Sequence, residues 1–127
     1  MNRKISPHVN IYKFPITALS SISTRLSGLY LTGVFVGSGI YQLSGKDLQL
    51  HKKYNQLENY QKKILNYSLI LPTTYHTLGG IRHFVWDKYP KLLTNTKVAK
   101  SSYLIIGLSL GLTPIIDKLF DCPFEDN

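Results

Sequence analysis

The hydrophobic residues of this chain fall into three blocks, at about 22–43, 64–86 and 99–118, and most charged residues lie between them. Each block holds an uncharged run, over residues 26–43, 64–81 and 101–116. A soluble helix of this length would alternate apolar and charged faces at a 3.6-residue period. Because a membrane-spanning helix needs about 20 mainly apolar residues, the pattern predicts three transmembrane helices, the third borrowing flanking residues.

The predicted fold class is an all-α membrane protein, with three transmembrane helices in a bundle that partner subunits complete. Residues 1–20 form an N-terminal segment, residues 21–119 the transmembrane domain and residues 120–127 a C-terminal tail. The polar 44–63 loop has room for a surface helix. Two Gly-x-x-x-Gly pairs predict close packing of helices in lipid, namely Gly33 with Gly37 and Gly107 with Gly111.

The net charge is +8, but the distribution of the charged residues is more informative about topology than the total. With three spans, nine basic residues flank the end that carries the N-terminus and the 88–100 loop, against six at the other end. The positive-inside rule then predicts an N-terminus on the matrix or cytoplasmic side. The lysines form no basic stripe with interleaved aromatic residues, so nucleic acid is not an expected partner. The single cysteine, Cys122, excludes an intrachain disulfide within these residues.

His76 is the most informative polar residue, since it lies near the middle of the second block. Ionisable groups at membrane depth are costly and usually have a function. A neutral imidazole is a common metal ligand, and Gly79 and Gly80 one turn on leave room for a flat macrocycle. A single histidine cannot supply both axial ligands of a haem. On the residues alone, a haem ligand and a histidine hydrogen-bonded inside a bundle both remain open.

Two further groups lie at the N-terminal end of the bundle. Ser21 and Arg25 are four residues apart on one helix face, and they either bind a polar ligand or anchor the helix at the membrane surface. Arg82, His83 and Asp87 cluster where the second block ends, and His83 and Asp87 are spaced to hydrogen-bond. That cluster is either a protonatable rim above His76 or an ordinary interfacial belt with Trp86.

Two stretches carry a family resemblance: SPHVNIYKFPITALSSISTRLSG at 6–28 and YHTLGGIRHFVWD at 75–87. They resemble the signatures of the succinate dehydrogenase cytochrome b subunit, the large membrane anchor of respiratory complex II. The resemblance implies that His76 is the metal ligand, on the axial position of a haem b shared with the small membrane anchor subunit. It implies that Ser21 and Arg25 line a ubiquinone pocket, and that Arg25, His83 and Asp87 lie near haem and quinone.

The same resemblance implies a non-catalytic subunit of succinate:ubiquinone oxidoreductase that works with the small anchor, iron–sulfur and flavoprotein subunits and with membrane lipid. One departure is Thr24, because many members carry histidine immediately before the arginine of the first motif. Thr24 supports the alternative of an anchor without haem. A second alternative is an anchor of fumarate reductase, because the sequence of this subunit does not set the direction of the reaction. An unrelated membrane scaffold or channel fits the motifs poorly. The second motif and the absence of a visible presequence favour the mitochondrial inner membrane over a bacterial inner membrane.

Overall fold

The computed structural model describes residues 11, 13–45 and 49–120, and over these residues the chain is helical without strands. Three long helices follow one another: α1 (Ile16–Leu43), α3 (Asn59–Lys88) and α4 (Asn95–Phe120). Each hydrophobic block lies within one of them. A short helix, α2 (Leu50–Asn55), occupies the 44–63 loop, and a 3-10 turn at Pro90–Leu92 links α3 to α4. Most of the 1–20 segment and residues 121–127 of the tail lie outside the described residues.

The helix ends follow from local chemistry. Pro15 precedes α1, where its missing N–H costs nothing because the first N–H groups of a helix have no partner within the helix. Gly45 follows the end of α1 with φ at +75°, a conformation that glycine adopts without strain, and its N–H bonds the Gln42 carbonyl at 3.1 Å. At the start of α3, the side-chain oxygen of Gln61 accepts a hydrogen bond from the Glu58 N–H at 3.0 Å. These ends fix where the polar loops begin.

The interior of the three-helix chain is small and polar. Helix α3 packs against α1 and α4, and α1 also contacts α4. Among the described residues, Tyr75 and Ile105 are the buried hydrophobic side chains, whereas the buried polar set is Ser20, Thr24, Arg82, Ser102, Ser109, Thr113 and Asp117. The large apolar side chains point outward instead, and Leu29, Phe35 and Phe84 are 70%, 72% and 77% exposed. This arrangement is the reverse of a soluble bundle, and it fits helices whose outer faces meet lipid.

The described helices differ in how well their composition suits a membrane span. One segment, Asn95–Leu119, is both long and apolar enough to cross a membrane by length and composition. Helices α1 and α3 have 28 and 30 residues, about 42 and 45 Å at 1.5 Å per residue, so both exceed the roughly 30 Å hydrocarbon core. Their many hydroxyl, glycine and tyrosine side chains lower the mean hydropathy without adding charge at the centre.

The glycines at the close contacts between helices are not those of the two Gly-x-x-x-Gly pairs. A Cβ built on Gly33, Gly37, Gly107 or Gly111 would have no neighbour within 4 Å among the described residues, so neither pair packs against another of the described helices. A Cβ on Gly28 would lie 2.6 Å from His76 Cε1, and one on Gly79 would lie 2.8 Å from Thr24 Cγ2. The two pairs thus make no close contact among the described helices of this chain, and the close packing in lipid that their spacing predicts stays a prediction.

Candidate functional site

The contact between α1 and α3 is set by two glycines that leave room for the side chain opposite. Gly28 faces the His76 ring and Gly79 faces the Thr24 side chain. The two helices run antiparallel, so these contacts fix their relative register. One helical turn beyond the contact between Gly79 and Thr24, His83 of α3 lies at the level of Ser21 of α1. The two groups that the sequence placed at one membrane end therefore lie at the same level of the helix pair.

The His76 ring has one nitrogen held by the neighbouring helix. Its Nδ1 lies 3.0 Å from the Thr24 carbonyl oxygen and 3.3 Å from Ser27 Oγ. A carbonyl oxygen can only accept, so Nδ1 is the donor, and in the neutral ring Nε2 then has the lone pair that a metal ligand needs. The same pattern orients histidines that ligate metals, because the second hydrogen bond fixes the tautomer and the ring plane. The ring is otherwise exposed at the surface of this chain, on the side away from the interior.

Helix α3 presents His76, His83 and Asp87 on one outward face. At 100° per residue these positions fall within about 40° of one another, and all three are exposed. The spacing of His83 and Asp87 would allow a hydrogen bond between them, but the structure shows none among the described residues. The His83 ring packs edge-on against Trp86 instead, with 5.3 Å between the ring centroids.

Helix α1 places Ser21 and Arg25 on the face that reaches His76 through Gly28. Ser21, Arg25 and Gly28 lie within about 60° of one another around the helix axis. Ser21 is partly exposed and Arg25 is exposed, and neither makes a hydrogen bond or ion pair with another described residue. The pair thus has donors available on the same outward side of the chain as the imidazole. We call this side, formed by Ser21, Arg25, His76, His83 and Asp87, the histidine face.

Arg82 has a different place from the one predicted for it. It was assigned to the rim with His83 and Asp87, yet it is only 8% exposed and points into the interior. Its Nη1 donates to Ser20 Oγ at 3.2 Å and to Ser102 Oγ at 3.0 Å, which ties α3 to both other long helices. Tyr75 adds to this group by donating from its hydroxyl to the Ser20 carbonyl at 3.2 Å. The one sequence signal was the pair of serines near the starts of α1 and α4, which could not be assigned to Arg82 without the register.

A second polar group lies at the opposite end of the bundle. Asn66 Nδ2 donates to Asp117 Oδ1 at 2.7 Å, and the Tyr54 hydroxyl donates to Asn66 Oδ1 at 3.2 Å. Asp117 is only 3% exposed. The three side chains connect α2, α3 and α4, so the short loop helix is tied to the bundle.

The comparisons with known proteins agree with the two motifs. A family model described as the succinate dehydrogenase/fumarate reductase transmembrane subunit matches residues 1–116. The chain is 33% identical to the mitochondrial succinate dehydrogenase cytochrome b560 subunit of Dictyostelium discoideum, over 87% of this chain and 58% of that protein. It is 34% identical to the cytochrome b560 subunit of Reclinomonas americana, over 94% of this chain and 88% of that protein.

A third relative, the cytochrome b560 subunit of Porphyra purpurea, is 31% identical over 83% of this chain and 87% of its own length. The family match covers both helices of the histidine face and nearly all of α4. The resemblance that the motifs indicated is thereby confirmed at the level of the whole helical region. This chain belongs to the succinate dehydrogenase/fumarate reductase transmembrane subunit family.

Proposed function

We propose that this chain anchors a succinate dehydrogenase complex in the mitochondrial inner membrane and supplies one axial ligand, His76, to a haem b. The electrons of succinate would pass from the flavoprotein and iron–sulfur subunits to ubiquinone beside the histidine face. The relatives named cytochrome b560 subunits support the class of complex. The single observation that carries the haem assignment is the fixed His76 ring, whose Nδ1 is hydrogen-bonded to the Thr24 carbonyl and whose Nε2 has no hydrogen-bond partner among the described residues.

The proposed membrane arrangement has three spans, formed by α1, α3 and α4. The outward-facing leucine and phenylalanine side chains and the lengths of α1 and α3 support it. The nine basic residues at the N-terminal end favour that end on the matrix side. A tag at the C-terminus is therefore expected to be cut by protease added from the intermembrane side. Full protection of that tag in sealed membranes would reverse the proposed topology.

The residues around His76 fit a haem that is shared with a second subunit. The ring is exposed on the outside of this chain, so a macrocycle bound there would lie between this chain and a partner rather than inside it. Gly28 lacks the side chain that would press on the ring. Thr24 differs from the histidine of many relatives, but it reaches His76 through its main-chain carbonyl, which every residue type has. Haem b bound at His76 would supply a one-electron redox centre, and its second protein ligand would come from the small anchor subunit.

Ser21 and Arg25 would orient the quinone at the matrix end of the histidine face. A quinone carbonyl gains negative charge as it is reduced, and preorganised donors stabilise that charge most where water is excluded. The Arg25 guanidinium offers a planar set of N–H donors, and the Ser21 hydroxyl lies one turn away on the same face. His83 and Asp87, exposed at that level, would exchange the two protons that accompany two electrons.

The proposed function is tested by purifying the tagged chain from its own membranes in mild detergent. We expect the flavoprotein, iron–sulfur and small anchor subunits to co-purify, together with b-type haem bands in the reduced spectrum. A complex with all partners but no haem bands would favour the alternative of an anchor without haem, for which Thr24 is the specific observation. A stable, monodisperse chain without partners would contradict the proposal, because its exposed apolar and histidine faces would then have nothing to cover them.

A further inference from the structure

A groove runs between α3 and α4 at the end of the bundle where α3 stops and α4 begins. Its volume is about 410 Å³. The floor and walls are aliphatic, formed by Leu78, Ile81, Val85, Leu104, Ile105 and Leu108. The groove is therefore suited to hydrocarbon along most of its length. Two of its lining residues, Ile105 and Arg82, are also buried side chains of the interior described above.

The mouth of the groove is basic. Lys97 and Lys100, on the first turns of α4, line it together with Arg82 and Trp86, and no acidic residue is among the described lining residues. Arg82 lies with its guanidinium carbon 4.6 Å from the centroid of the Trp86 ring. Its hydrogen bonds go to neutral serine hydroxyls, and its buried Nε has no acceptor among the described residues. Within the part of the chain that the structure describes, no carboxylate neutralises the positive charge of Arg82, and this charge adds to that of the two lysines.

The groove and the histidine face lie on opposite sides of α3. Counted at 100° per residue from His76, residues Leu78, Ile81 and Val85 lie between about 140° and 200° away. A partner that covers His76 would therefore leave this groove facing the lipid. A tryptophan beside lysines at a helix end is also typical of the depth at which lipid headgroups lie.

We propose that this groove binds one anionic phospholipid, with its acyl chain along the aliphatic walls and its phosphate at Lys97 and Lys100. The charge at the mouth selects this occupant over a neutral one, such as a zwitterionic lipid or the tail of a quinone. The inference rests on the proposed function only for membrane insertion, and it requires neither haem nor quinone. It concerns residues that the electron-transfer site does not use.

The test uses the purified complex in nanodiscs of phosphatidylcholine that contain a trace of a photoactivatable phospholipid. Two probes with the same acyl chains are compared, one with a phosphatidylglycerol and one with a phosphatidylcholine headgroup. We expect the anionic probe to label Leu104 and Leu108 several-fold more than the neutral probe. Each basic residue near an anionic lipid changes affinity by about five-fold, so Lys97→Gln with Lys100→Gln should remove most of that difference.

The matched control is Lys53→Gln with Lys63→Gln, two exposed lysines at the opposite end of the bundle. This control should leave the labelling of α4 unchanged. Equal labelling by both probes, or unchanged anionic labelling after the Lys97 and Lys100 substitutions, would overturn the inference. Haem bands and co-purifying subunits are recorded on the same samples. If the haem bands are intact but both probes label α4 equally, only the lipid site is refuted. If the other subunits do not co-purify, the proposed function is refuted.

Discussion

Replacing His76 by leucine is expected to abolish the b-type absorption bands of the complex or to alter them strongly. Leucine fills a similar space but offers no nitrogen lone pair, so the iron would lose one axial ligand. The reduced-minus-oxidised spectrum measures the effect, with subunit content checked on the same sample. His83→Leu is the comparison on the same face, and it should change the bands much less because His83 lies nearer the end of α3. Unchanged bis-imidazole bands in assembled His76→Leu complex would remove His76 from the haem.

A subtler substitution tests the ring's placement rather than its identity. Gly28→Ala adds a Cβ that would lie 2.6 Å from His76 Cε1, so the ring or the helices must shift. We expect a displaced haem potential or band position in that variant. Gly33→Ala is the control on the same helix, because a Cβ there meets no described residue within 4 Å. Equal spectra in the two variants would mean that the α1–α3 contact does not position the ligand.

Replacing Arg25 by leucine is expected to slow electron transfer from succinate to quinone by about a hundredfold or more, the usual effect of losing one preorganised donor. Succinate oxidation with an artificial acceptor that takes electrons upstream should be spared. Ser21→Ala should have a smaller effect in the same direction. The measurement is the ratio of quinone reduction to acceptor reduction in assembled complex.

Arg25→Lys separates binding from anchoring. Lysine keeps the positive charge but loses the planar set of donors, so it should impair quinone reduction if Arg25 contacts the quinone. If Arg25 only holds the helix end at the membrane surface, lysine should serve as well. Wild-type rates in both Arg25 variants would leave the anchoring role standing and remove Arg25 from the quinone site.

The long helices could be predicted well from the sequence, because an uncharged apolar run of this length is rarely compatible with any structure other than a long helix. The early start of α1 at Ile16 was not predicted, since its first turns carry hydroxyl side chains that look like loop. The interior was harder still. Ser20 and Ser102 gave no sign of being buried, because a serine can satisfy its hydroxyl on its own helix and so fits almost any position.

Individual residues of the site could be predicted from the sequence, but their positions relative to one another could not. His76, Ser21 and Arg25 were identified by motif, and register then placed them on one outward side. Arg82 was misplaced because a cationic residue beside Trp86 and Lys88 reads as part of a surface belt. Only the relative rotation of α3 decides whether such a side chain points to water or inward, and rotation depends on the contacts at Gly28 and Gly79.

The hydrogen bonds of Arg82 also bear on the order in which the chain becomes complete during synthesis. One of its two partners, Ser20, is made 62 residues before it, and the other, Ser102, is made 20 residues after it. While the ribosome has produced only the first two long helices, this cation has half of its neutral acceptors and an open side toward lipid. A charge in that position is costly, so we expect the pair of helices to be less stable until α4 is in place. Helix α4 is thus the element that closes the interior, and a chain interrupted before it exposes an unsatisfied cation.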